Sequence, residues 1–312
     1  MALGEFDLIS RINEMFPAPE GVTGIGDDCA ILPQKGGMET LVTTDMLMDG
    51  VHFLREDASP YDLGWKSAAV NISDIAAMGG RPVGTFLSYA LPKGTSDEWM
   101  LEFMRGYKDL SDLSGTPLLG GDTTSSLDRL CINVAVLGEC PAGKSRKRSD
   151  ARAGDLICVT GPLGDSAAGL KVILGDMDRG DVESALVRRH YRPVPRVAEG
   201  LVLAATEGVH AMMDISDGIG SDLLHILDAS GLGARIDVDS IPLSQECRTA
   251  ASRHGWDLRK LSIDGGEDYE LLFTMAPGTD PQTEYHVIGE TVEGAPTIEW
   301  SDKADHMGFR HF

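Results

Sequence analysis

Carboxylates in this chain recur beside glycines and threonines in a way that suits a hard metal ion. Gly24-Ile25-Gly26-Asp27-Asp28 and Thr43-Thr44-Asp45 stand on either side of one short connection. Gly120-Gly121-Asp122-Thr123-Thr124 follows an apolar run, and Asp214-Ile215-Ser216-Asp217-Gly218 closes another. Carboxylate and hydroxyl oxygens gathered at strand ends are the ligands that Mg²⁺ accepts while it keeps several waters and binds substrate phosphates. Asp is also common wherever a backbone bends, so Asp27 and Asp28 alone could be turn caps. The distal Glu and the ligand alternation of a calcium loop are absent.

Further groups can join such a centre. Asn71 and Asp74 are three apart in an Ala/Ile-rich helical pattern, so they share one polar face. A carboxylate there is costly if buried alone, and Asp74 reads as a ligand reaching toward the first two clusters. His52, between Gly50-Val51 and Phe53, lies just after Asp45. Gly143-Lys144-Ser145-Arg146-Lys147-Arg148 is the densest basic run in an acidic chain, and Arg148 is its candidate for nucleotide phosphate. Gly161-Pro162-Leu163-Gly164-Asp165-Ser166 after an apolar strand has the layout of a phosphate site at a helix N-terminus. It matches neither a Walker A nor a G-x-G-x-x-G motif.

The elements that must position these residues follow from periodicity. Ala30 to Leu32 and Glu39 to Val42 read as short strands around a Gly36-Gly37 turn. The spacing of Leu63, Ala68, Ala69, Ile72, Ile75 and Ala76 predicts a helix from about Pro60 to Met78, closed by Gly79-Gly80. Strands are expected over 82–91, 130–137, 155–160 and 209–213, with a helix over 96–113 capped by Ser96. The apolar strand at Pro117-Leu118-Leu119 is expected to end at Gly120-Gly121, where bare backbone could approach a ligand closely. Arg188 to Pro193 reads as a structural basic turn. A mixed α/β chain of two domains results, divided as 1–140 and 141–312.

Its 312 residues, 42% of them hydrophobic, suffice for two cores. A net charge of −22 disfavours nucleic-acid and anionic-membrane partners, and any phosphate substrate then needs cations between the two negative partners. The five cysteines include no Cys-x-x-Cys pair and mostly sit among apolar neighbours, so they read as inert buried thiols. No basic leader with an apolar core opens the chain, and no apolar run approaches a membrane span. A cytoplasmic, reducing location is expected.

Taken together with Asn71-Ile72-Ser73-Asp74-Ile75-Ala76-Ala77-Met78-Gly79, Gly164-Asp165-Ser166-Ala167-Ala168-Gly169 and Gly265-Gly266-Glu267-Asp268-Tyr269-Glu270, these motifs resemble the thiamine-monophosphate kinase family, in order and over essentially the whole chain. The wider superfamily of aminoimidazole ribonucleotide synthetase and selenophosphate synthetase shares single motifs. The resemblance implies two α/β domains of that type and a homodimer whose first-domain sheets combine into a barrel. It also implies ATP-dependent conversion of thiamine monophosphate to thiamine diphosphate. Asp28, Thr43, Thr44, Asp45, Asp74, Asp122, Asp214 and Asp217 would hold several Mg²⁺ ions, with Asp45, Asp122 and Asp217 essential to turnover. Gly121, Asp122, Arg148 and Ser216 would contact ATP, and His52, Glu267 and Phe309 the substrate. The tail departs from the family's usual Trp or Tyr followed by Asp-His-Phe, since Phe309-Arg310-His311-Phe312 stands there.

The chemistry agrees. A phosphate monoester has its second pKa near 6, so its attacking oxygen is ionised at neutral pH and no general base is needed. Many carboxylates without a catalytic His-Asp pair is the expected signature. The alternatives are a related ATP-dependent synthetase acting on a purine precursor and a metal-dependent phosphohydrolase. A selenophosphate synthetase would carry a reactive Cys near the N-terminus, and none precedes Cys29.

Overall fold

The computed structural model describes residues 9–10, 13–15, 18–304, 306 and 308. Phe309 lies outside these residues; of a short amphipathic helix expected over 8–16 from Leu8, Ile9, Ile12, Met15 and Phe16, residues 9–10 and 13–15 are described and helical.

The acidic connection is a hairpin. β1 (Ala30–Pro33) pairs antiparallel with β2 (Met38–Met48), register Ala30 to Val42. β2 does not stop at Val42. Its full length pairs with β5 (Cys131–Pro141), so Thr43-Thr44-Asp45 lies within the strand and not at its end. The same correction applies to Gly120-Gly121-Asp122, which is interior to β4 (Leu118–Ser126). β4 runs parallel to β3 (Arg81–Pro92) and completes a five-stranded sheet ordered β1-β2-β5-β3-β4. Gly121 sits at φ 154°, and a Cβ there would stand 1.7 Å from the Leu87 carbonyl oxygen. Its close backbone approach is therefore to the neighbouring strand, where the sequence suggested a ligand.

One face of this sheet is covered by α1 (Pro60–Ala77), whose N-cap Ser59 accepts from the Asp62 amide and whose second position is Tyr61 after Pro60. Its Leu63, Ala68, Ala69, Ile72, Ile75 and Ala76 are buried, as the spacing requires. α2 (Asp97–Ser114), capped by Ser96, crosses it. Gly64 and Gly106 make that crossing possible: a Cβ at either would lie 1.9 Å from a carbonyl oxygen of the other helix.

The second sheet is six-stranded among the described residues, ordered β11-β8-β10-β6-β9-β7. It comprises β6 (Leu156–Val159), β7 (Val209–Asp214), β8 (Leu232–Ile236), β9 (Leu271–Met275), β10 (His286–Glu293) and β11 (Ile298–Trp300). Helices α3 (Asp165–Leu174), α4 (Asp181–Tyr191), α5 (Val197–Ala205), α6 (Ile219–Ser230), α7 (Gln245–His254) and α8 (Leu258–Ile263) pack around it. Val172, Ile173, Val187 and Tyr191 of α3 and α4 belong to the same buried cluster as α1 and the first sheet. Trp65 donates to the Pro193 carbonyl at 2.7 Å, and Arg192 pairs with Asp62 while its guanidinium stacks 4.5 Å from the Tyr61 ring. The two halves thus meet along α1. No described helix is long and apolar enough to cross a membrane.

Candidate active site

A cleft of about 1010 Å³ opens where the two halves meet, large enough for two small phosphorylated ligands side by side. β2 brings in Thr43 and Asp45, α1 brings Asp74, the turn before β1 brings Asp28, and the end of β7 brings Asp214. Carboxylate oxygens of Asp28, Asp74 and Asp214 lie within 4.8 Å of one another. Each is aimed by a partner. Thr43 Oγ1 donates to Asp74 at 2.5 Å, Ser73 Oγ donates to Asp214 at 2.5 Å, and an Arg148 guanidinium nitrogen donates to Asp28 at 2.7 Å. Asn71, on the same face as Asp74, accepts from the Asp45 amide at 2.7 Å and ties β2 to α1.

Too much negative charge is gathered here for one arginine. Burial pushes the Asp214 carboxyl up to about 7, reinforced by the Asp28 charge. Asp74 is raised well above the usual carboxylate range by burial and then by Asp45, Asp214 and Asp28. Asp45 opens onto the cleft yet is raised by desolvation and then by Asp28. Asp28 Oδ2 is buried and accepts no hydrogen bond from the described residues. Hard oxygens held together against their repulsion, one of them unpartnered, fit a divalent cation such as Mg²⁺.

The other predicted residues fall as follows. Thr44, Asp217, Ser216, Arg148, His52 and Glu267 line the same cleft. Thr44 alternates to the opposite side of β2 from Thr43, and its hydroxyl accepts from the Asn133 side-chain Nδ2 at 2.9 Å. Arg148 begins a short 3₁₀ turn (Arg148–Asp150), and its guanidinium is engaged by Asp28. His52 Nδ1 accepts from the Met48 amide at 3.0 Å. Gly121 and Asp122 are not brought to the cleft. Asp45, Val134, Leu87 and Gly121 form one row across β2, β5, β3 and β4, which puts β4 three strands away, about 14 Å. Asp122 is exposed and accepts only from its own neighbour's amide, Thr123, among the described residues.

One motif has a different occupant. The amides of Gly164 and Ser166 at the start of α3, proposed above as a phosphate cradle, donate to the Asp268 carboxylate at 2.6 and 3.1 Å. A side chain from over a hundred residues away fills the anion place.

Sequence reasoning missed several participants. Asp222 accepts from the Ser216 and Asp217 amides at 3.1 and 3.2 Å and so shapes the loop after β7. Lys66 is fully buried in α1 and stands 2.8 Å from Glu267. His190, in the basic turn read as structural, lies 3.5 Å from Glu267 and 2.9 Å from Ser166 Oγ. The burial argument used for Asp74 applies equally to Lys66, a lone cation eight residues earlier in the same apolar pattern, and would have found it.

The AIR synthase related protein, N-terminal domain, matches residues 26–140, and its C-terminal domain matches residues 152–280. Thiamine-monophosphate kinase of Salmonella typhimurium is 42% identical over 88% of this chain and 83% of its own length. That of Aquifex aeolicus is 34% identical over 99% of this chain and 98% of its own. The chain belongs to the thiamine-monophosphate kinase family. Among solved structures, "AaThiL complexed with AMPPCP and TMP" superposes with a TM-score of 0.92 at 34% identity, covering 100% of this chain and 99% of that one. Membership of the thiamine-monophosphate kinase family accounts for the order of the motifs, and two AIR synthase related domains account for the two sheets.

Proposed function

We infer that this protein transfers the γ-phosphoryl group of ATP to thiamine monophosphate, yielding thiamine diphosphate and ADP. The observation that carries the reading is the carboxylate cluster of Asp28, Asp74 and Asp214 in a chain matched end to end by a structure holding an ATP analogue and TMP. A terminal phosphate oxygen of thiamine monophosphate attacks the γ-phosphorus, the bond from that phosphorus to the bridging oxygen breaks, and ADP leaves with the electron pair. The monoester is ionised near neutral pH, so no side chain must remove a proton. Asp28, Asp45, Asp74, Asp214 and Asp217, with Thr43 and Thr44, are the residues proposed to hold Mg²⁺. Bound there, the ions would neutralise phosphate oxygens that an acidic cleft otherwise repels and bring them into line. Thr43 and Ser73 keep two of the carboxylates aimed, and Asp222 fixes the loop of Ser216 and Asp217.

Ser216 and Arg148 are proposed contacts of ATP, and His52 and Glu267 of the substrate, whose thiazolium ring is a cation. Phe309 is proposed for the ring's face. Gly308, its described neighbour, packs against Ser221 and the Asp217 carbonyl. Gly121 and Asp122 can serve the nucleotide only if a second copy supplies them. The exposed strand β4 with Leu118 and Leu119, and Phe86 and Met46 on the same sheet, supports a homodimer in which two such sheets close a barrel. The free cysteines favour a cytoplasmic setting.

The test is to incubate the protein with Mg²⁺, ATP and thiamine monophosphate and to separate the products. Equimolar thiamine diphosphate and ADP is the expected result. ADP with free phosphate and no diphosphate ester would make it a phosphohydrolase. ADP formed only with a purine precursor would move it to the related synthetases.

A further inference from the structure

Glu267 holds an unusual backbone. It is one of the few non-glycine residues at positive φ, 63°, with Tyr269 at 53° close behind. Such conformations are strained for a side chain with a Cβ and persist where surroundings impose them. Here the Glu267 amide donates to the Ser216 carbonyl at 2.7 Å and the Tyr269 amide to the Ile215 carbonyl at 2.9 Å. The loop is thereby stapled to the one that carries Asp214 and Asp217, and the Glu267 side chain enters the cleft a quarter exposed.

Behind it stands Lys66. Its ammonium is wholly buried, lies 2.8 Å from Glu267 Oε1, faces the Tyr191 ring at 5.8 Å and does not line the cleft. It makes no aligned hydrogen bond to any described residue. We propose that Lys66 is a positioning residue for the substrate: from behind the cleft wall it holds the Glu267 carboxylate ionised and aimed at the cationic ring. The inference rests on the reading of Glu267 as that ring's counter-charge.

The groups facing Glu267 leave this part to Lys66. His190 of α4 is neutral, its imidazole pushed down to about 3 by burial first and the Lys66 charge second. His52, from the loop after β2, is more distant in effect, and the adjoining Asp268 adds repulsion. Desolvation acts to raise the Glu267 carboxyl, and Lys66 is the largest influence that brings it below the usual range. An ion pair also need not cancel recognition: with Oε1 at Lys66 and Oε2 3.5 Å from His190 Nδ1, the Glu267 side chain still lines the cleft a quarter exposed.

Lys66→Met keeps the length of the side chain and removes the charge. Carbon-13 carboxyl NMR of glutamate-labelled protein, with Glu267 assigned by its loss in Glu267→Gln, should show no titration of Glu267 between pH 6 and 9 in the native protein and a titration step in the variant. Relative to the native protein at each pH, the variant's KM for thiamine monophosphate should fall about tenfold per pH unit until that step is complete. Its KM for ATP should track the native value. A Glu267 carboxyl that does not titrate in Lys66→Met, or a flat KM ratio, overturns the inference. Should the single variant fail to fold, Lys66→Met in the Glu267→Gln background replaces the pair by neutral groups. It should then match Glu267→Gln in KM for thiamine monophosphate, and a further rise overturns the inference. The underlying reading fails separately: Glu267→Gln with unchanged KM removes the counter-charge itself, whatever the carboxyl titration shows.

Discussion

Replacing Asp214 by Asn should make the metal-free protein more stable while ruining the enzyme. Asp214 is buried at the end of β7, and its carboxyl is raised from 3.8 to about 7 by desolvation and the Asp28 charge. A folded-state pKa above the unfolded one means that folding is opposed by ionisation. Stability is greatest below pH 4, falls as pH rises between 4 and 7, and stays low above 7. About three units at 1.36 kcal/mol each gives about 4 kcal/mol at pH 8 as the upper bound. Asn removes the charge and can still accept from Ser73. At about 2 °C per kcal/mol for a chain of this size, the variant should melt up to about 8 °C higher in EDTA at pH 8, with the gap shrinking toward pH 5. Adding Mg²⁺ should raise the melting temperature of the native protein more than that of the variant, because binding to the folded state alone stabilises by mass action. Melting curves with EDTA and with Mg²⁺ at both pH values provide the assay. A variant that melts lower than the native protein in EDTA at pH 8 would refute the claim that this cluster is held together against its own charge.

Three further outcomes are expected. Asp45→Asn should abolish turnover, by at least about 100-fold, with an unchanged circular dichroism spectrum; activity near the native level would remove Asp45 from the metal set. Leu119→Glu on the exposed β4 should turn the proposed dimer into a monomer in sedimentation and lower ATP turnover in parallel, whereas a fully active monomer would mean that Asp122 plays no part. Gly121→Ala should cost about 3 kcal/mol or more in urea denaturation, since a Cβ at φ 154° meets the Leu87 carbonyl at 1.7 Å; a cost below about 1 kcal/mol would show that β3 and β4 can separate there.

How far the sequence reached depended on how local the determining contacts were. The β1-β2 hairpin and α1 rest on turn residues and helical spacing inside one segment, and both are found in the structure, with Asp74 of α1 brought to Thr43 of β2. Strand ends failed where a distant partner decides them. Glycines suggested that β4 stops at Leu119, yet β3 supplies ladder partners through Ser126, and β5 likewise carries β2 to Met48. The helix start at Gly164 looked like a phosphate cradle because Asp268, its occupant, is 102 residues beyond Ser166. Lys66 is a different kind of omission. Its signal was local, a charged residue inside an apolar helix, and the rule that drew attention to Asp74 had only to be applied twice.

The two ends of the cleft are tied together by backbone. Asp214 and Asp217 flank Ser216, and the Ser216 carbonyl accepts from the Glu267 amide at 2.7 Å, while Ile215 and Glu270 exchange a further backbone bond at 2.9 Å. The loop with the acidic oxygens proposed for metal-bound phosphate and the loop with the counter-charge proposed for a cationic ring are therefore held together as one unit. A ligand that carries both a cation and a phosphate can engage both loops at once, and each contact orders the backbone that the other needs. An inorganic phosphate or a neutral phosphate ester engages only one. On the proposed reading, discrimination for the thiamine ester comes from joining two electrostatically opposite tasks across these backbone hydrogen bonds, and a net charge of −22 is compatible with binding two phosphorylated substrates because the repulsion falls where the proposed metals would bind.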